Sequence, residues 1–158
     1  MILSVPKETA PLERRVALVP ESCKKLLQAG YAVSIEAGAG ALAGFPDDAY
    51  RAAGATLESD PAALLSQADF VLRVNAPPFG GASGRGEVEW MRPGAFLLGS
   101  LMPLRNLDAM RALAARGITA FSTDAIPRTT RAQAMDTLSS QANIAGYRGV
   151  VLAGRVDA

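Results

Sequence analysis

The chain has 158 residues, 49% of them hydrophobic and 20% charged, with 16 Lys and Arg against 15 Asp and Glu for a net charge of +1. That length and composition fit one folded domain and exclude a disordered or fibrous chain, and the balanced charge gives no basic excess for nucleic acid. Histidine is absent and Cys23 stands alone, which removes histidine bases, histidine-dependent triads, histidine or thiolate metal sites and internal disulfides together.

Ile2-Leu3-Ser4-Val5 predicts a strand that Pro6 ends. No basic segment precedes it, so no signal peptide is expected, and no apolar run approaches the roughly 18 residues of a membrane span. A cytoplasmic location is therefore expected. Pro20-Glu21-Ser22 opens a helix with Leu26 and Leu27 on its buried face and Gly30 as its stop. Tyr31 to Ile35 predicts the second strand. Pro46-Asp47-Asp48 opens a helix that stops at Gly54, and Asp60-Pro61 opens a third around Leu64 and Leu65. Phe70 to Val74 and Ala95 to Leu98 predict further strands. Between them Phe79 to Glu89 holds four glycines and reads as a mobile surface loop. Leu104 to Arg116 predicts a helix stopped by Gly117, Ile118 to Phe121 a strand, and a last long helix runs from about Gln133 to Ala153. Strands and helices alternate, and the strands read as apolar on both faces. The pattern predicts an α/β fold: a doubly wound parallel sheet in a Rossmann- or flavodoxin-like three-layer sandwich, one domain over residues 1–158.

Three stretches carry chemical signals. Gly38-Ala39-Gly40 leaves a strand, with Gly44 following. A dinucleotide fingerprint needs its third glycine three residues after the second, and a helix directly behind. Here the spacing is four and Pro46 intervenes, so a glycine-rich turn is favoured over a phosphate cradle. Arg14-Arg15 follows the first strand. An arginine there can clamp a ligand carboxylate or pair with Glu8 or Glu13. Both readings stay open for Arg15, and the ion pair is favoured for Arg14. On the last helix Asp136, Ser139, Ser140, Asn143 and Tyr147 share one stripe, with Met135, Leu138, Ala142 and Ala145 as the apolar face. This polar stripe fits either a capped helix packed on another polar element or a face that meets a ligand or second domain.

The run Pro127-Arg128-Thr129-Thr130-Arg131-Ala132-Gln133-Ala134-Met135-Asp136, continuing through Ser139-Ser140-Gln141-Ala142-Asn143-Ile144-Ala145-Gly146-Tyr147-Arg148, closely resembles the alpha subunit of the proton-translocating NAD(P) transhydrogenases. Pro6-Lys7-Glu8, Glu13-Arg14-Arg15-Val16-Ala17, Glu36-Ala37-Gly38-Ala39-Gly40 and Val74-Asn75-Ala76-Pro77 fit the same family. The resemblance implies part of an oxidoreductase that passes hydride from NADH to NADP+ coupled to proton movement. Such a step needs orientation of two nicotinamide rings rather than a protein acid or base. By position, Arg128, Asp136 and Ser139 would hold the nicotinamide end of NAD(H), and Gln133 would reach towards the NADP(H)-binding component. Gln133 and Asp136 would be the catalytic residues, with no metal.

The resemblance also implies a homodimer and partner NADP(H)-binding and membrane components, with peripheral attachment at the inner membrane through them. The family's Gly-rich NAD-binding domain follows this region, so this chain is expected to be the N-terminal half of a site and inactive alone. Two other readings remain. One is a non-catalytic interaction module. The other is an alanine-dehydrogenase-like domain, in which Asn75 and Met102 stand where that family's catalytic Lys and His fall.

Overall fold

The computed structural model of the protein describes residues 1–78 and 86–156. It packs as two compact units, Met1–Ser122 and the segment from Thr123 onward.

The first unit is built on six strands: Ile2–Val5 (β1), Ala32–Glu36 (β2), Thr56–Glu58 (β3), Phe70–Asn75 (β4), Phe96–Ser100 (β5) and Thr119–Ser122 (β6). All neighbours pair in parallel, in the order β3-β2-β1-β4-β5-β6. This is the Rossmann order, which settles the choice against the flavodoxin order. Five helices connect the strands: Pro20–Gln28 (α1), Asp47–Ala53 (α2), Pro61–Ser66 (α3), Glu87–Trp90 (α4) and Leu107–Ala115 (α5).

Local chemistry sets most of these boundaries. Pro20 opens α1 and Gly30, at φ +86°, turns the chain out of it. The Asp60 carboxylate accepts the Ala62 N–H at 2.9 Å and caps α3. The sequence reading missed β3, whose three residues become a strand by pairing with Ser34, Ile35 and Glu36 of β2. It also placed Glu87 and Val88 in a surface loop. They form the first turn of α4 and are buried. The rest of that expected loop, residues 79–85, lies outside the described residues.

Two cores lie on opposite faces of the sheet. Cys23 of α1 and Tyr50 of α2 pack with Val5, Val33 and Ile35 on one side. Leu65, Val88 and Leu113 from α3, α4 and α5 pack with Val71 and Leu97 on the other. The turn after β2 resolves the glycine question. Gly38 takes φ +75° and donates its N–H to Asp47 Oδ1 at 2.8 Å. A Cβ on Gly40 would stand 2.6 Å from Tyr50 Cε2 and 2.7 Å from the Phe45 carbonyl oxygen. The chain's own Tyr50 fills the space a phosphate would need, so this is a packing turn.

The second unit holds two 3-10 turns, Thr123–Ala125 and Thr130–Met135, and a 20-residue helix, Thr137–Val156 (α6). The helix expected from about Gln133 starts four positions later. Gln133 and Met135 belong to the preceding turn, and Asp136, at φ −77° and ψ 84°, breaks the helical path. The expected apolar face, Met135, Leu138, Ala142 and Ala145, is exposed throughout, with Met135 in the turn before α6; Ile144, Val150 and Leu152 are exposed as well.

Candidate functional site

Within the second unit, Arg128, Thr129, Thr130, Ala132, Gln133 and Asp136 line a cavity of about 270 Å³. The 3-10 turn curls this polar run back on itself, which brings Arg128 and Asp136 to one hollow eight positions apart in sequence. Asp136 is the N-cap of α6. Its Oδ1 accepts the Ser139 N–H at 2.9 Å and its Oδ2 accepts the Ser139 hydroxyl at 2.6 Å. Ser140 Oγ donates to the Asp136 carbonyl at 3.0 Å. These Ser139 bonds, together with the Arg128 charge, hold the Asp136 carboxyl below its ordinary range. It therefore remains an anion with a fixed orientation at the positive end of a helix dipole.

Arg128 and Gln133 are exposed, and neither side chain makes a hydrogen bond to a described residue. Of the four residues the sequence singled out, three line this cavity and the fourth, Ser139, orients one of them. Asn143 and Tyr147 lie further along α6, away from that lining.

A second cluster lies in the first unit, where the connections from β1 leave in opposite directions. Crevices outside the carboxyl ends of strands at such a switch point are where this fold binds ligands. Glu8, just past β1, is buried. Its Oε1 accepts the Val74 N–H at 2.7 Å, and its Oε2 accepts Arg73 Nη2 at 3.1 Å. Arg73 is itself buried and pairs with buried Glu87 as well. One cation thus serves two carboxylates inside the fold, which makes each partner indispensable to the others. The sequence reading passed over Arg73 and Glu87. The signal was available, since an arginine inside an apolar strand must find a buried anion.

Arg15 is held by Glu13: Nε donates to Oε1 at 2.8 Å and Nη2 to Oε2 at 2.6 Å. Asn75 Nδ2 donates to the same Glu13 Oε2 at 2.8 Å. The Arg15 bonds pull the Glu13 pKa down to about 2, against some opposition from burial and with help from Asn75. The ion pair open to Arg15 is formed with Glu13, and the Arg15 side chain stays 49% exposed. Among the described residues Arg14 forms no ion pair with Glu8 or Glu13, contrary to expectation. Its backbone N–H binds Glu13, whose oxygens Arg15 and Asn75 already occupy.

Asn75 also lines a cavity of about 500 Å³ with Ser100, Met102, Arg105 and Asn106 at the ends of β4 and β5. Met102 takes φ +44°, a left-handed conformation costly for a side chain with a Cβ. Its carbonyl accepts the N–H groups of Arg105 and Asn106 at 2.9 and 3.1 Å, which holds the turn.

The comparisons with known proteins agree with this architecture. Residues 4–145 match the model of the alanine dehydrogenase/PNT N-terminal domain. The chain is 47% identical over 151 residues to the first part of NAD(P) transhydrogenase subunit alpha from Rhodospirillum rubrum, a match covering 96% of this chain and 39% of that one. A crystal structure of transhydrogenase from Sinorhizobium meliloti superposes with a TM-score of 0.86 at 42% identity, over 96% of this chain and 43% of that chain. Alanine dehydrogenase of Bacillus subtilis is 31% identical over 146 residues, 92% of this chain and 36% of its own. The chain thus spans about two fifths of the length of these relatives. Over nearly the same stretch its identity to the transhydrogenase subunit is well above its identity to the dehydrogenase. The chain belongs to the family of alanine dehydrogenase and PNT N-terminal domains, on the side of the transhydrogenase alpha subunits.

Proposed function

We propose that the chain supplies the nicotinamide-orienting wall of the NAD(H)-binding component of a proton-translocating transhydrogenase. The observation that carries this reading is the single cavity lined by Arg128, Gln133 and Asp136, with Asp136 oriented by Ser139. The donor set suits the nicotinamide end of NAD(H). A carboxamide offers one acceptor and one NH2 donor. Arg128 has donors free of described partners, and each Asp136 oxygen keeps acceptor capacity beyond its Ser139 bond. The pyrophosphate has no such fit in the described residues, because Tyr50 and Phe45 fill the turn at Gly40.

When bound, NADH supplies the hydride and NADP+ on a partner component receives it. The protein's part is to fix the ring. Arg128 and Asp136 set its orientation by directional hydrogen bonds, Ser139 holds the Asp136 carboxylate, and Gln133 extends towards the NADP(H)-binding component. Orientation of this kind governs the rate because a small misplacement of the reacting atoms costs orders of magnitude. No helix among the described residues is long and apolar enough to cross a membrane, so this reading assigns membrane attachment and proton movement to partner components.

Two measurements test it. Calorimetric titration with NADH should show weak or no binding to the chain alone, as expected of one wall of a site. Reconstitution with an NAD-binding half and the NADP(H) component should restore hydride transfer, and Arg128→Ala or Gln133→Ala should reduce it at least tenfold. Unchanged transfer in both variants would reject the assignment.

A second reading has its own support. On α6, Ile144, Tyr147 and Val150 are exposed on one side of the helix and suit a dimer or subunit interface. Complex formation without restored transfer would favour that reading.

A further inference from the structure

Asp136 is held at three points. Its carboxylate accepts the N–H and the hydroxyl of Ser139. Its own N–H donates to the Gln133 carbonyl at 3.3 Å. Its carbonyl accepts two donors from Ser140, the N–H at 3.3 Å and Oγ at 3.0 Å. The Ser139 bonds set where the carboxylate points. The Ser140 bonds set where the Asp136 backbone stands, and the Asp136 N–H passes that placement on to Gln133.

The two Ser140 donors are unequal. An N–H···O bond is ordinarily about 2.9–3.0 Å long, so the Ser140 N–H, the first helical bond of α6, is stretched. The hydroxyl makes the shorter contact and carries the hold. This bond does nothing for the helix itself, because a serine that bonds back to the carbonyl four positions earlier slightly weakens and bends its helix. Ser140 is also exposed, so no core packing calls for it, and alanine has the higher helix propensity. What the hydroxyl does fix is the backbone of a residue that lines the Arg128 cavity. Gln133 and Asp136 both line that cavity, whereas Ser140 does not. The tie between them, at 3.3 Å, is long. Their spacing therefore depends on how firmly Asp136 is held from the α6 side.

We propose that Ser140 is a positioning residue for hydride transfer. Its hydroxyl holds the Asp136 backbone and so sets the spacing between Asp136, at the nicotinamide end of NAD(H), and Gln133, which extends towards the NADP(H)-binding component. This role rests on the nicotinamide reading of the Arg128 cavity. Loss of the hydroxyl leaves the carboxylate with its Ser139 bonds, so NADH binding is kept. The rate falls, because two rings that must meet tolerate little displacement.

The test compares Ser140→Thr with Ser140→Val. The two side chains have nearly the same shape and helix propensity, but only threonine can bond its hydroxyl to the carbonyl four positions earlier. The first readout needs no nucleotide. By NMR, the Asp136 amide of the chain alone should exchange with solvent about threefold faster or more in Ser140→Val, and at the parent rate in Ser140→Thr. The second is single-turnover hydride transfer after reconstitution with an NAD-binding half and the NADP(H) component. Ser140→Val should be slower by about tenfold or more, and Ser140→Thr within about threefold of the parent, with the NADH Kd of both within about threefold. Ser140→Ala should lose the rate as valine does.

Equal behaviour of the threonine and valine variants in either readout overturns the proposal. So does a parent-like rate in Ser140→Ala, which would make the valine loss a matter of helix propensity. An equal loss of rate and NADH affinity in Ser140→Val overturns it as well, by making Ser140 a binding residue. The underlying reading is checked in the same assay. If Arg128→Ala and Gln133→Ala leave transfer unchanged, the nicotinamide assignment fails and the Ser140 role with it. If they slow transfer while the valine and threonine variants agree, the Ser140 role alone fails.

Discussion

At the scale of single residues, two side chains show how the fold stores stability in specific bonds. Glu13 has a folded pKa of about 2 against an ordinary 4.5. A depressed carboxylate contributes stability above the higher value and loses it as pH falls towards the lower one. Urea midpoints followed from pH 5 to pH 2 should therefore drop across that window, and Glu13→Gln should flatten part of the drop. Asp69 and Asp136 are also held below their ordinary range, so the variant removes only part of it. Tyr50 is fully buried and donates its hydroxyl to the Leu18 carbonyl at 2.9 Å. Burial pushes its pKa up to about 12. Tyr50→Phe leaves that carbonyl without its donor, and chemical denaturation should show a loss of about 1–2 kcal/mol with no change of fold.

Elements come next, and here the sequence was most and least informative. Helix starts at Pro20 and Asp60 and stops at Gly30 and Gly54 were legible because proline geometry, carboxylate capping and positive φ act within a few residues. The β3 strand was not legible, since its three residues gain strand form only from β2. Nor was α4, where Glu87 reads as a solvent charge until Arg73 is seen beside it. The candidate site was legible as a motif but not as geometry. Nothing local shows that Asp136 ends one turn and caps the next helix, which moves Gln133 off α6. The turn after β2 makes its own prediction. Gly40→Ala forces a Cβ against Tyr50 and the Phe45 backbone. It should cost about 1–3 kcal/mol by overpacking, read as a lower thermal midpoint.

For the whole first unit, the buried charge cluster joins segments that sequence keeps far apart. Glu8 follows β1, Arg73 lies within β4 and Glu87 opens α4. Arg73→Met would leave two carboxylates without their cation. The expected loss is about 3–5 kcal/mol in urea unfolding at neutral pH. A triple variant that also carries Glu8→Gln and Glu87→Gln should regain most of the loss. Sheet order was legible only as a class. Alternation predicts a parallel sheet, but which strand flanks β1 depends on pairings across the chain.

The place of β1 between β2 and β4 has a consequence for the protein as it is made. The Ile2 N–H meets the Asp69 carboxylate, 67 positions later in the chain. At translation rates of roughly 5–20 residues per second, one edge of β1 waits about 3–13 s for its neighbour to be synthesised. During that interval Leu3 and Val5 border an open strand edge, the kind of surface that recruits other nascent chains. Pairing of β1 with β2 and cover from α1 are available earlier, so the α1 side of the sheet closes on the ribosome before the β4 side. Slowing synthesis between β2 and β4 lengthens that interval and should lower the yield of folded protein, and removing β4 should send the nascent chain into aggregates.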